Sequence, residues 1–205
     1  MNVLLLNGSP HAAGCVYTAL SEVAGALNRN GIETSIYQMG TAPVRGCVAC
    51  RQCAETGLCA FDDDPCNEII GLVKAADGLV VGSPVYYAGA NGAICALLDR
   101  VFFAAARKCF AHKPAAAVVS CRRGGAGSAF DRLNKYFTIS GMPVVPSQYW
   151  NSVHGRTPDE VLQDLEGLQT MRTLGNNMAW MLKSIQAGGV PVPEREASIM
   201  TNFIR

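Results

Sequence analysis

Short apolar runs alternate with stretches of helical periodicity along most of this chain. The apolar runs lie at residues 3–6, 34–37, 79–81, 115–119 and 143–145. The helical stretches lie at residues 20–27, 65–73, 94–101, 128–137 and 158–186. Strands that alternate with helices predict an α/β protein, with a parallel sheet and helices on both of its faces. Because five strands are predicted and no Gly-rich dinucleotide fingerprint follows the first, the doubly wound strand order 2-1-3-4-5 is favoured.

The length of 205 residues and the extent of this alternation indicate one domain over residues 1–187, followed by an extended arm over residues 188–205. The formal net charge is only +1, which gives no reason to expect a nucleic acid or a membrane surface as partner. A charge-free stretch between Asp77 and Asp99 could span a bilayer, but Pro84 and several glycines divide it into a strand, a turn and a helix. The chain begins without a basic leader, so we expect a cytoplasmic protein.

Three loops are candidates for a site, because ligands of doubly wound sheets bind beyond the carboxyl ends of the strands. The first, residues 8–18, brings small residues and hydroxyl groups to a helix start, where free N–H groups can hold a phosphate. The second, residues 82–91, carries paired tyrosines that suit a planar heteroaromatic ring. The third, residues 120–128, combines two arginines with three glycines. Each loop alone also fits an ordinary turn, so the three together are the stronger indication.

Three segments of the chain resemble a known family. They are Asn7-Gly8-Ser9-Pro10, Gly82-Ser83-Pro84-Val85-Tyr86 and Leu97-Leu98-Asp99-Arg100. Together they resemble the flavodoxin-like NAD(P)H-dependent FMN reductases, over roughly residues 1–145. The resemblance implies a flavodoxin-like fold, an FMN phosphate on the first loop, the flavin ring against the second loop and the third loop near the polar edge of that ring. It also implies a homodimer or homotetramer.

The resemblance yields a set of candidate FMN-binding residues. They are Ser9, His11, Gly14, Cys15, Val16, Tyr17, Thr18, Pro84, Val85, Tyr86, Tyr87, Arg122 and Gly124. The chain departs from the family pattern at Cys15-Val16, where the family usually has Asn-Thr. Two side-chain donors to the phosphate are lost there, and we expect backbone amides, Tyr17 and Thr18 to replace them.

Four of the nine cysteines share one loop, which we call the cysteine loop and define as residues 45–64. They are Cys47, Cys50, Cys53 and Cys59, and the acidic run Asp62-Asp63-Asp64 follows them. The loop resembles the iron–sulfur flavoprotein branch of the family, and a compact run of thiolates suits a [4Fe–4S] cluster. A single zinc ion also accepts four thiolates, although its usual pattern is two separated pairs. Reduced thiols without metal are the third alternative, and all three stay open.

The predicted function is that of an FMN-dependent oxidoreductase. NAD(P)H would pass a hydride to FMN, and the electrons would continue to a quinone, another small acceptor or a bound cluster. Because the cofactor carries this chemistry, no catalytic side chain is assigned. The alternative is a non-enzymatic carrier that moves electrons between redox protein partners, although the small net charge argues against it. A zinc-stapled interaction module without flavin is the third hypothesis.

Overall fold

A parallel sheet lies at the centre of the computed structural model, which describes residues 1–106, 109–199 and 201. Its strands are β1 (Asn2–Asn7), β2 (Glu33–Gln38), β3 (Gly78–Tyr86), β4 (Gly89–Ala90), β5 (Ala115–Cys121) and β6 (Ser152–His154). The order across the sheet is β2-β1-β3-β5-β6, and the short β4 pairs antiparallel with the end of β3. When β4 is set aside, the parallel strands follow the predicted order 2-1-3-4-5, and the doubly wound architecture is confirmed.

Helices cover both faces of the sheet. They are α1 (Cys15–Arg29), α2 (Cys53–Thr56), α3 (Cys66–Ala75), α4 (Gly92–Val101), α5 (Ala126–Ile139), α6 (Pro158–Gln163) and α7 (Leu165–Gly188). A π-helical turn, Phe102–Ala106, continues α4. Side chains of α1, α6 and α7 form the core on one face, and those of α3, α4 and α5 form it on the other.

The central strands are buried on both faces, which explains their unbroken apolar sequences. In β1, Val3 and Leu5 join the core beneath α1 and α7, whereas Leu4 and Leu6 join the core beneath α3 and α4. Successive side chains of a strand point to opposite faces, so a strand covered on both sides must be apolar at every position. This arrangement brings the carboxyl ends of β1, β3 and β5 to one edge.

The last strand lies later in the chain than the sequence predicts. The predicted strand at residues 143–145 contributes only a bridge between Val144 and Ala115, and β6 pairs instead with the end of β5. Pro143 and Pro146 have no N–H group to donate to a ladder, so the pairing cannot continue through this segment. The chain leaves the sheet and returns to it at Ser152, which pairs with Val119.

The predicted helix over residues 158–186 is two helices, α6 and α7. They meet at Asp164, whose backbone has φ −77° and ψ 75°, outside the helical range. The Asp164 carboxylate accepts a hydrogen bond from the Gly167 amide at 3.0 Å and so caps α7. Asp164 therefore ends one helix and begins the next.

The domain boundary at residue 187 stays a prediction. Residues 189–199 form no helix or strand and are exposed, and residues 200 and 202–205 of the predicted arm lie outside the described residues. Among the helices that the structure describes, none is long and apolar enough to cross a bilayer. The charge-free stretch before Asp99 instead forms β3, β4 and most of α4.

Candidate functional site

The first loop leaves β1 through a network of hydrogen bonds that fixes its backbone. The buried Asn7 accepts the Ser9 amide on its side-chain oxygen at 3.1 Å, and the Ser9 hydroxyl accepts the His11 amide at 3.1 Å. Gln38 of β2 donates to the Ser9 carbonyl at 2.7 Å. The side chains of Asn7 and Ser9 thus help to fix the shape of the loop, and the Ser9 hydroxyl accepts one hydrogen bond while keeping its own hydrogen to donate.

The start of α1 leaves backbone N–H groups available to an anion. Gly14 precedes the helix, and within the described part of the chain no side chain caps it. The Thr18 hydroxyl donates to the Gly14 carbonyl at 3.3 Å, so it is bound to its own helix, whereas Tyr17 is 40% exposed. Val16 is buried and can offer only its amide. First-turn amides together with the positive end of a helix dipole are groups that can bind an anion such as a phosphate.

Cys15 and Cys121, which lie near these loops, do not have the environment of reactive thiols. The Cys15 sulfur lies 3.9 Å from the Gly155 carbonyl oxygen, close to the chain that leaves β6. Burial raises the pKa of the Cys15 thiol and, separately, the pKa of the Cys121 thiol. A raised pKa keeps a thiol protonated near neutral pH and therefore weakly nucleophilic.

The second loop is a hairpin whose tip exposes two tyrosines to solvent. Tyr87 and Ala88, which link β3 to β4, have φ values of 48° and 59°, a left-handed conformation that side chains other than glycine rarely adopt. Tyr87 is fully exposed, and Tyr86 is 47% exposed. The buried Ser83 hydroxyl accepts the Asn91 amide at 2.9 Å and so anchors the base of the hairpin. An aromatic surface is therefore held on a strained, fixed turn.

The third loop packs directly on this hairpin. Gly125 has φ +90°, and a Cβ atom there would lie 2.6 Å from the Ala88 Cα atom. Arg122 and Gly124 are exposed beside this contact. The first loop contacts the start of the second loop, where the Gly8 amide donates to the Gly82 carbonyl at 2.9 Å. The structure thus brings the three predicted loops to one edge, although the role of each residue toward FMN stays a prediction.

The four cysteines of the cysteine loop line one cavity against the π-helical turn. Cys47 and Cys50 are exposed, Cys59 is half-buried and Cys53 is buried at the start of α2. The backbone is left-handed at Ala49 and Arg51, with φ values of 53° and 63°. Burial raises the pKa of the Cys53 thiol, and the neighbouring thiols raise it further. The loop therefore turns tightly enough for all four cysteines to line one cavity.

The donor set fits a thiolate-bound centre by its chemistry. No carboxylate is among the described residues that line the cavity, where the thiols are joined by Phe61, Phe103 and the guanidinium of Arg100. Across the residues that the structure describes, no group of three His, Cys, Asp or Glu side chains is close enough to hold a metal ion. Cluster, zinc and free thiols thus remain the alternatives for this loop.

The sequence alone assigned no individual role to two residues that bear on these loops. Gly125 contacts a hairpin that is distant in the sequence, so no local pattern reveals its role. Arg100 is only 2% exposed, and its Nε atom donates to the Cys59 sulfur at 3.2 Å. An arginine on the apolar side of α4 was the available signal, because charged side chains are almost never fully buried unless they are paired.

Comparisons with known proteins agree with this architecture. The model of the NADPH-dependent FMN reductase family matches residues 1–157. An iron–sulfur flavoprotein of Methanocaldococcus jannaschii is 31% identical over 196 residues, covering 91% of this chain and 100% of that protein. An iron–sulfur flavoprotein of Methanosarcina thermophila is 28% identical over 190 residues, covering 91% of this chain and 97% of that protein.

A solved structure supports the fold. A flavodoxin from the domain Archaea superposes with a TM-score of 0.62 at 14% identity, covering 89% of this chain and 99% of the flavodoxin. Identity this low shows the fold alone, whereas the family match and the relatives extend over most of the sequence. The chain therefore belongs to the NADPH-dependent FMN reductase family, on the branch whose curated relatives are named iron–sulfur flavoproteins.

Proposed function

We propose that the protein is an FMN-dependent oxidoreductase that takes a hydride from NAD(P)H and passes electrons to a quinone or another small acceptor. One observation carries this proposal: an uncapped helix start and an exposed tyrosine hairpin lie at the same edge of the sheet. A phosphate and a planar ring are the two ends of FMN, and this edge offers a complementary surface for each. The family match supports the same cofactor.

The residues of the three loops bind and orient the flavin in this proposal. Amides of Cys15, Val16 and Tyr17 hold the phosphate, and the exposed His11 adds positive charge when it is protonated. Pro84, Val85, Tyr86 and Tyr87 form the surface under the ring, with Arg122 and Gly124 at its polar edge. FMN supplies the hydride and electron transfer when it is bound, so no acid–base side chain is required.

The cysteine loop holds a [4Fe–4S] cluster in this proposal. Cys47, Cys50, Cys53 and Cys59 line one cavity, and the relatives are named iron–sulfur flavoproteins. Of the two metal alternatives, zinc is the less favoured, because structural zinc sites usually draw their cysteines from two separated pairs. Assays for iron, sulfide and zinc on one anaerobically purified sample distinguish the cluster from zinc and from free thiols.

The proposed setting is the cytoplasm, with the chain assembled as a homodimer or homotetramer. The chain carries 17 basic and 16 acidic residues, and this balance gives no electrostatic reason for nucleic acid or anionic lipid to bind. A small-molecule acceptor is the proposed electron partner, and a redox protein is the partner in the carrier alternative.

Steady-state oxidation of NADH and NADPH, with FMN and a quinone added, tests the enzymatic proposal. We expect acceptor-dependent turnover that requires FMN. A protein that binds FMN stoichiometrically yet turns over with no acceptor would instead be the electron carrier. A protein that binds zinc and no FMN would be the interaction module, which would contradict both flavin hypotheses.

A further inference from the structure

A buried arginine connects the sheet domain to the cysteine loop. Arg100 lies near the end of α4, between the buried Leu97 and Val101, and its side chain is 1% exposed. A guanidinium cannot lose its charge in a protein, so its burial is tolerated only if its donors are satisfied. The hydrogen-bond partners of the Arg100 guanidinium therefore indicate its role in the protein.

Within the part of the chain that the structure describes, the guanidinium of Arg100 has four partners in the cysteine loop. Its Nε donates to the Cys59 sulfur at 3.2 Å, one terminal nitrogen donates to the Phe61 carbonyl at 3.0 Å, and the other donates to the Arg45 carbonyl at 3.3 Å. The last nitrogen also forms a buried ion pair with Asp64. One side chain thus holds the two ends of the loop and one of its candidate ligands.

Asp64 extends this anchor into the neighbouring helix. One carboxylate oxygen accepts the Arg45 amide at 3.0 Å, and the other accepts the Cys66 amide at 3.1 Å at the start of α3. Its side chain is only 3% exposed. The pair of Arg100 and Asp64 therefore fixes the cysteine loop between α3 and α4, beside the cavity that the thiols line.

We propose that Arg100 is the positioning residue of the cysteine loop: it fixes the Cys59 sulfur and places a permanent positive charge beside a thiolate centre. The inference rests on the proposed metal centre in this loop. A metal centre bound by four thiolates is electron-rich at its sulfur atoms, and the guanidinium Nε donates directly to one of them, Cys59, at 3.2 Å. Hydrogen bonds to cluster sulfurs and the local charge also help to set the reduction potential of an iron–sulfur centre.

Titration of the reduced, chelator-treated protein with Co²⁺ tests this role, because cobalt in a tetrathiolate site gives visible absorption bands. We expect Arg100→Gln to bind Co²⁺ about 10- to 100-fold more weakly, the range seen when supporting partners of metal ligands are lost. Arg100→Lys should bind with intermediate affinity, because it keeps the charge and loses the fork of donors. After iron–sulfur reconstitution, Arg100→Gln should also have a lower midpoint potential than Arg100→Lys, which a purely structural role would not produce.

Arg45→Gln is the matched control. The Arg45 side chain is 45% exposed and pairs with Asp63 at 2.7 Å, while its backbone carbonyl accepts a hydrogen bond from Arg100. This variant removes one positive charge from the same loop and should bind Co²⁺ within about twofold of the unmodified protein, as expected for an exposed pair. Equal affinity of Arg100→Gln and Arg45→Gln would overturn the proposal.

Hydrogen exchange of residues 45–64 keeps the inference testable if the loop binds no metal. Faster exchange there in Arg100→Lys, with α1 on the opposite face unchanged, would support the positioning role even if Arg100→Gln does not fold. Unchanged exchange in the loop would overturn it. Absence of both iron and Co²⁺ binding in the unmodified protein would refute the proposed cluster, which is a separate outcome from either exchange result.

Discussion

At the scale of single residues, Gly125 controls the contact between two of the three loops. Its φ of +90° disfavours a side chain, and an added Cβ atom would lie 2.6 Å from the Ala88 Cα atom. We expect Gly125→Ala to lower the free energy of unfolding by about 1–3 kcal/mol and to weaken FMN binding. Gly127→Ala is the control, since nothing lies within 4 Å of that position and the change should be neutral or stabilising. Urea unfolding of both variants measures this, and equal stabilities would contradict the packing argument.

Tyr87 is the side chain whose loss should affect the flavin ring most directly. It is fully exposed at the hairpin tip, so Tyr87→Ala removes aromatic surface without opening a cavity in the core. We expect FMN affinity to fall about tenfold, because stacking on a planar ring contributes about 1–3 kcal/mol. Fluorescence titration with FMN measures the change. Leu165→Ala, which removes a 74% exposed apolar side chain from the start of α7, should leave the affinity unaltered; a similar loss in both variants would count against a flavin contact for Tyr87.

Single residues differed in how well the sequence predicted them. The candidate phosphate and ring residues were visible because glycines, hydroxyls and tyrosines directly follow apolar runs. The positions of Arg100 and Gly125 were not, because each acts through a partner that is remote in the sequence. The Ser9 hydroxyl accepts the His11 amide and so shapes the loop, while its role as a donor to the phosphate stays a prediction.

At the scale of elements, a hydrogen bond attaches the edge strand β2 to α3. The Tyr37 hydroxyl donates to the Glu68 carboxylate at 2.8 Å, and burial together with that carboxylate raises the pKa of Tyr37 from 10.0 to about 12. As the pH rises, the Tyr37 hydroxyl loses its proton at a lower pH in the unfolded chain than in the folded protein. The stabilisation from the hydrogen bond is therefore fully present below pH 10 and is lost as the pH rises toward 12. Urea unfolding at a series of pH values across this range should show that the free energy of unfolding falls more steeply with pH in the unmodified protein than in Tyr37→Phe. Parallel declines would contradict the assignment.

Strands and helices were predicted well where the pattern of apolar residues is continuous and poorly where that pattern is interrupted. Strands β1, β3 and β5 are buried on both faces, so their apolar runs were unambiguous. The short β4 has two residues and no periodicity of its own, and β6 has three, of which only Val153 is buried. The division of the last helix depends on the backbone of Asp164, which periodicity cannot reveal.

At the scale of the whole molecule, apolar side chains exposed on α7 and on the segment after it suggest where copies of the chain meet. They are Trp180, Ile185, Val190, Val192 and Ile199, each at least half exposed. We expect analytical ultracentrifugation to show a dimer or a tetramer. Removal of residues 188–205 should shift the distribution of species toward smaller oligomers or monomers. Ile139→Ser on α5, which changes an equally exposed apolar residue elsewhere, should not do so. A monomeric full-length chain would contradict this expectation.

The binding of FMN relative to riboflavin tests the central claim most directly, because the two ligands differ only in the phosphate assigned to the start of α1. Titration of the flavin-free protein should show one FMN bound per chain. Riboflavin should bind about 100-fold more weakly, since loss of two charge-assisted hydrogen bonds costs about 3 kcal/mol. Equal affinity for the two ligands, or no binding of either, would contradict the account of this edge as an FMN site.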